Sequence, residues 1–276
     1  MSETPFTPPR ELADGVHWIG ECLAMDHEGT MLHAYSSAYL VQGEECSLVV
    51  DTGHPKDWAA IEGQLDRLHA AGAPPVRYLF PTHAEVPHAA NLGRLLHRYP
   101  EAIAVGDVRD YHLFFPEFAD RLVPMGEGTA LDLGGRRFLL LEAVIKDLVT
   151  SLWGYDEKGR TLFPGDGFAY MHHHKADECW KVAEEVPDLP IPEFTALFAE
   201  YALYWTRFTD IEPQIEALER LMAEHPVDVV APGHGSPVLD VAVTLPMDSG
   251  PTPIQTISDL IARALPAVPI RPGPPR

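Results

Sequence analysis

Three residues within six positions could hold a metal: His83, Glu85 and His88 in the stretch FPTHAEVPHAANLG, directly after an apolar run. Two His at i and i+4 on one helical face, with Glu between them, would be a zinc-protease motif. Here the His spacing is i, i+5, Glu follows at +2, and Pro87 forbids a helix interior. A tight loop at a strand end lets imidazole and carboxylate converge on one point, which is what ligation of a transition metal requires. The alternative is a polar loop with a capping His. Two further residues favour the metal: Asp166 in LFPGDG and His234 in APGHG each end an apolar strand-like run and are flanked by Gly, which lets backbone approach a ligand closely. His172, His173 and His174 follow Asp166; one of them could add a ligand, or they form a solvated loop, the preferred reading.

The elements that must position these residues can be read from periodicity. VHWIG (16–20), AYSSAYLVQ (34–42) and CSLVVDTG (46–53) read as paired strands. WAAIEGQLDRLHAAG (58–72) has Ile61, Leu65 and Leu68 at helical spacing and stops at Gly72. VRYLFPTH (76–83) is a strand leading into the loop, and AANLGRLLHRYP (89–100) a helix ended by Pro100. AIAVGD (102–107), GRRFLLLEAV (135–144), TSLWGYD (150–156) and RTLFPGD (160–166) supply a second group of strands. Residues 192–224 read as helical, with Phe194, Leu197, Phe198, Tyr201, Ile211, Ile215, Leu218, Leu221 and Met222 in an apolar stripe. VDVVAPGHG (227–235) is a last strand. Strands in meanders, each run followed by helices, point to an α/β (α+β) fold, an αββα sandwich rather than a doubly wound sheet. One domain over 1–245 and a Pro-rich tail over 246–276, with one short helix at TISDLIARAL, are expected. Trp153, Tyr155, Trp180, Tyr201, Tyr204 and Trp205 are expected in the core rather than lining a pocket.

The chain of 276 residues has 41 Asp+Glu against 20 Lys+Arg, a formal charge of -21. Such a charge repels phosphate backbones and anionic lipid, so neither nucleic acid nor a membrane surface is an expected partner. No spanning segment or signal peptide is legible, and the expected location is cytoplasmic. Cys22, Cys46 and Cys179 are odd in number and widely spaced; they read as reduced thiols.

The ordered set SLVVDTG, THAEVPH, LFPGD and APGHG resembles the metallo-β-lactamase superfamily over about residues 16–238. Hydrolases of that superfamily carry HxHxDH in the first loop; Glu85 stands where their second His would be. This HxE pattern, with SLWGYDE and the run EYALYWTRFTDIEPQIEALERL, is similar to the flavodiiron and oxygen-binding diiron branch. The resemblance implies that His83 and Glu85 bind a first iron, that His88 and His234 bind a second, and that Asp166 bridges them. Asp51 of DTG would orient a ligand from behind. Two departures stand out. Pro87 replaces the Asp before the loop's second His, and Asp147 falls where the family has another His. Asp147 as a ligand would give the first metal three carboxylates and one His. The second, with His88, His234 and Asp166, would be open or weakly held.

The function expected from the resemblance is a non-haem diiron protein that binds or reduces O₂, NO or peroxide, using two iron ions, with zinc or manganese as alternative metals. The small-molecule substrate would be O₂ itself or an organic compound, a separate redox protein would donate electrons, and a homodimer is expected. The alternative is a metallo-hydrolase of an ester, thioester, lactone or phosphodiester, whose weakness is the absence of an Asp beside His88 to orient water.

Overall fold

The computed structural model describes residues 7–171, 179–186, 197–239 and 241. Strands β1 (Arg10–Ala13), β2 (Val16–His27), β3 (Thr30–Gln42) and β4 (Ser47–Val50) form an antiparallel meander. To this β5 (Val76–Phe80), β6 (Ile103–Gly106) and β7 (Leu122–Pro124) add in parallel, making a seven-stranded sheet in chain order. The second sheet has five strands: β8 (Ala130–Asp132), β9 (Arg137–Glu142), β10 (Leu152–Asp156) and β11 (Thr161–Phe163) are antiparallel, and β12 (Val229–Val230) lies parallel to β11.

Helix α1 (Trp58–Ala70) carries β4 to β5, and the short α2 (Val86–Ala89) and α3 (Leu92–Arg98) carry β5 to β6. Meanders alone therefore do not describe the chain, because parallel strands need a crossover and a helix supplies it. Both sheets are covered on their outer faces. Along β4 and β5 the side chains alternate: Leu48, Val50 and Phe80 point between the sheets, while Val49 and Leu79 face Ile61 and Leu65 of α1 and Leu92, Leu95 and Leu96 of α3. From the other side Leu131, Phe138, Leu140 and Phe163 meet Trp18, Tyr35 and Tyr39. The outer face of the second sheet, Trp153, Leu162 and Val230, packs on Leu218 and Met222 of α4 (Glu212–Glu224). This is the expected αββα sandwich. Each such buried apolar side chain stabilises it by about 1.5–3 kcal/mol relative to exposure.

Three local expectations are revised. β2 and β3 are longer than periodicity suggests, meeting at His27 and Thr30. Glu28 (φ 51°) and Gly29 (φ 80°) close the hairpin, a two-residue loop that needs positive φ at both positions. The helical stretch 192–224 is interrupted: residues 197–201 are helical, Tyr204–Phe208 is a 3-10 turn, and α4 starts afresh at Glu212 with Pro213 in its first turn. Tyr201 and Tyr204 are exposed rather than in the core, whereas Trp153, Tyr155 and Trp180 are buried. Phe194, the His172–His174 run, the boundary at 245 and the tail with its TISDLIARAL segment lie outside the described residues. Among the described residues no helix is long and apolar enough to cross a membrane.

Candidate metal centre

Asp51, His83, Asp166 and His234 follow the carboxyl ends of β4, β5, β11 and β12, two parallel pairs in different sheets. The sandwich therefore gathers them at one end, where Ser37 N–H donates to Gly233 O (3.0 Å) and Gly233 N–H to Gly165 O (2.8 Å). His83, His88, Asp166 and His234 are all buried; the Glu85 side chain is half exposed. His83, Glu85, His88 and Asp166 each offer a ligand atom within 4.8 Å of the others.

Three imidazoles are fixed through Nδ1. His88 Nδ1 donates to Asp51 Oδ2 (2.8 Å), His234 Nδ1 to the Tyr35 carbonyl (2.5 Å), and His83 Nδ1 to Thr82 Oγ1 (3.1 Å). The Thr82 hydroxyl in turn donates to Asp51 Oδ1 (2.9 Å), which also accepts the Thr82 backbone N–H (2.7 Å). A proton on Nδ1 leaves the lone pair on Nε2, and all three Nε2 atoms face Asp166. Its Oδ1 lies 3.2 Å from His88 Nε2 and 3.7 Å from His234 Nε2, and its Oδ2 lies 3.9 Å from His83 Nε2. Beyond His83, its Nε2 is 3.4 Å from Glu85 Oε2 and 3.4 Å from Asp147 Oδ2.

Asp166 thus divides the cluster. One oxygen faces His88 and His234; the other faces His83 with Glu85 and Asp147. Buried Asp166 Oδ1 and His88 Nε2 make no hydrogen bond with each other or with any other group, an arrangement costly for buried acceptors unless a cation satisfies both. Electrostatics agree: burial opposes charge on Asp166, yet His88 and His234 hold its carboxyl well below the usual carboxylate range. Burial would lower the basicity of His88, but Asp51 and Asp166 together raise it well above the ordinary histidine range. Both effects mark a position that attracts positive charge, and a metal ion would displace a proton there. His234 is shifted down by burial, in the sense that favours a neutral ligand imidazole. Space is kept by Gly233, where a Cβ would come 2.5 Å from His88 Cε1 and 3.1 Å from Asp166 Oδ1. The cluster fits a metal-binding site.

All six residues singled out from the sequence, Asp147 included, come together, with Asp51 directly behind His88. Sequence reasoning missed Thr82, Tyr35 and Tyr39; the last donates to Pro232 O (2.6 Å) and fixes the His234 loop. Tyr35 acts through a carbonyl, for which no sequence signal exists. Thr82 could have been suspected from its place beside His83.

A family model described as the metallo-beta-lactamase superfamily matches residues 33–234. The coenzyme F420H(2) oxidase of Methanocaldococcus jannaschii is 25% identical over 243 residues, covering 82% of this chain and 56% of that protein. The anaerobic nitric oxide reductase flavorubredoxin of Salmonella arizonae is 25% identical over 236 residues, covering 80% of this chain and 46% of that one. This chain spans about half the length of these relatives. The fold is shared with the rubredoxin oxygen:oxidoreductase of Desulfovibrio gigas (TM-score 0.72, 16% identity, 93% of this chain and 60% of that one). It is shared too with the flavodiiron protein of Giardia intestinalis (TM-score 0.68, 16% identity, 85% and 56%).

Proposed function

Because this chain belongs to the metallo-beta-lactamase superfamily, we propose that it is a non-haem diiron protein that binds or reduces O₂ or NO with electrons from a redox partner. The observation that carries this reading is the division of Asp166 between two sets of ligand atoms. Oδ2 with His83, Glu85 and Asp147 forms a carboxylate-rich half-site, and Oδ1 with His88 and His234 forms an imidazole-rich one. Hard oxygen donors in the first half-site favour iron over zinc. The names of the relatives, an oxidase and a nitric oxide reductase, support the same class of chemistry.

Two ferrous ions bound here would supply electrons and Lewis acidity to a small oxidant. The chain's own residues set the stage for that. Asp51 and the Tyr35 carbonyl hold the His88 and His234 lone pairs in place, so little reorganisation is needed when charge changes at the site. Burial of His83, His88 and Asp166 keeps water from the floor, while Glu85, its carboxyl held low by the hydrogen bond with His83, stands at the solvent side.

The test is metal analysis of anaerobically purified protein, with optical spectra before and after O₂ and NO, and consumption of either gas with an artificial reductant. About two irons per chain, a new visible band and gas consumption abolished in Asp166→Ala are expected. Zinc in place of iron, no response to either gas and turnover of an ester or phosphodiester would replace this reading with a hydrolase.

A further inference from the structure

A second group of ligand-type side chains lies apart from the His/carboxylate centre: Cys22, His33 and Cys179 offer ligand atoms all within 4.8 Å of one another. The antiparallel register explains two of them. Cys22 of β2 pairs with Tyr35 of β3, and His33, two residues before Tyr35, is its diagonal neighbour on the same face. The Cys22 Sγ to His33 Nδ1 distance is 3.0 Å. Cys179 arrives from a remote part of the chain, seated by its neighbour Trp180. The Trp180 N–H donates to the Tyr35 hydroxyl (2.8 Å), its carbonyl accepts from Arg10 Nη1 (2.6 Å), and its ring packs 4.7 Å from that of Trp18.

Two sulfurs and an imidazole nitrogen form a soft donor set, unlike the oxygen-rich centre. Tetrahedral zinc with Zn–S of about 2.3 Å and Zn–N of about 2.0 Å separates its ligand atoms by roughly 3.5–3.8 Å. Cys22 and His33 stand about half an ångström closer than that spacing, and Cys179 lies within 4.8 Å of both. All three side chains are half-buried, so an ion can reach the group from solvent. We propose that Cys22, His33 and Cys179 form a second, thiolate-rich metal site that takes zinc and clamps the 179–180 segment onto the β2–β3 hairpin. An ion bound by both sulfurs would displace the thiol protons of Cys22 and Cys179. The clamp would also steady Tyr35, whose carbonyl holds His234.

The site is independent of the iron reading, and its test has its own signal. The full chain, purified under reducing conditions, is titrated with Co²⁺, whose bonds to thiolate give a near-ultraviolet charge-transfer band that His and carboxylate ligands do not. The band is expected in wild type and in Asp166→Ala, and lost in Cys22→Ser and Cys179→Ser. Zinc is expected to protect Cys22 and Cys179 of wild type from alkylation, a readout that needs no variant to fold. No thiolate band together with alkylation unchanged by zinc would overturn the proposal. So would a Cys22–Cys179 disulfide in the reduced preparation, seen as a mass lower by two hydrogens.

Discussion

Asp51 is not itself a candidate ligand, yet it governs two residues that are: it accepts from His88 Nδ1 and anchors Thr82, which fixes His83. Its φ of 56° is a left-handed backbone rarely adopted by a non-glycine residue, consistent with a position held for its side chain. Asp51→Asn keeps the shape but puts an NH₂ donor or a weaker acceptor opposite His88 Nδ1, loosening control of which nitrogen bears the proton. Metal affinity is expected to fall about 10–100-fold, read by competition with a chromophoric chelator; an unchanged affinity would remove Asp51 from the positioning role. Gly233→Ala gives a steric version of the same test. Its Cβ, 2.5 Å from His88 Cε1, must displace the imidazole, so metal content should fall most in the half-site of His88 and His234. Much of this site is legible in sequence because His83, Asp166 and His234 each end an apolar run and Glu85 and His88 follow His83 within five residues. Asp147 and Asp51 emerge only through the family resemblance. The Cys22, His33 and Cys179 cluster is not legible, since it depends on the register of a hairpin and on the return of a distant segment.

The strands that carry the site are rigid because aromatic side chains from both sheets interlock behind them. Phe138 of β9 is fully buried, 5.8 Å from the Phe80 ring and 5.6 Å from that of Phe163. Phe80 and Phe163 end the very strands that lead to His83 and Asp166. Phe138→Ala should cost about 3–5 kcal/mol in urea unfolding, from lost burial and the cavity left behind, and Phe138→Leu distinctly less. A loss under about 1 kcal/mol for the alanine would show that the inter-sheet layer collapses around the gap. Strong apolar runs such as those of β4 and β5 are evident from sequence alone. β1, β7 and β8 are only three or four residues long, too short for a period to register, and their existence depends on neighbours to pair with. The far half of β2 is likewise exposed and irregular in polarity, at Ala24, Met25 and Asp26, and is held as strand by its partner rather than by burial.

On the scale of the whole molecule, the two sheets are tied at both ends by different chemistry. At one end the candidate ligands come from loops of both sheets. At the other, buried Arg136 makes a bidentate pair with Asp156 (Nε–Oδ1 2.7 Å, Nη2–Oδ2 2.5 Å) and reaches across to Gln42 O (3.0 Å) on β3. β10 connects the ends: Leu152 N–H donates to Thr82 O beside His83, and Asp156 lies about 13 Å further on at about 3.3 Å per residue. Removing one partner of a buried pair strands the other's charge, so Asp156→Asn should cost about 3–5 kcal/mol. Stripping metal with a chelator should lower stability as well, because an ion that binds only the folded chain adds its binding free energy to folding. The two ends share no side chain and are far enough apart for their effects to add. Melting curves of wild type and Asp156→Asn, each with and without chelator, are therefore expected to show the same drop on metal removal. A larger drop in the variant would mean that the sandwich transmits strain along β10, and that the metal centre is felt at the opposite end of the molecule.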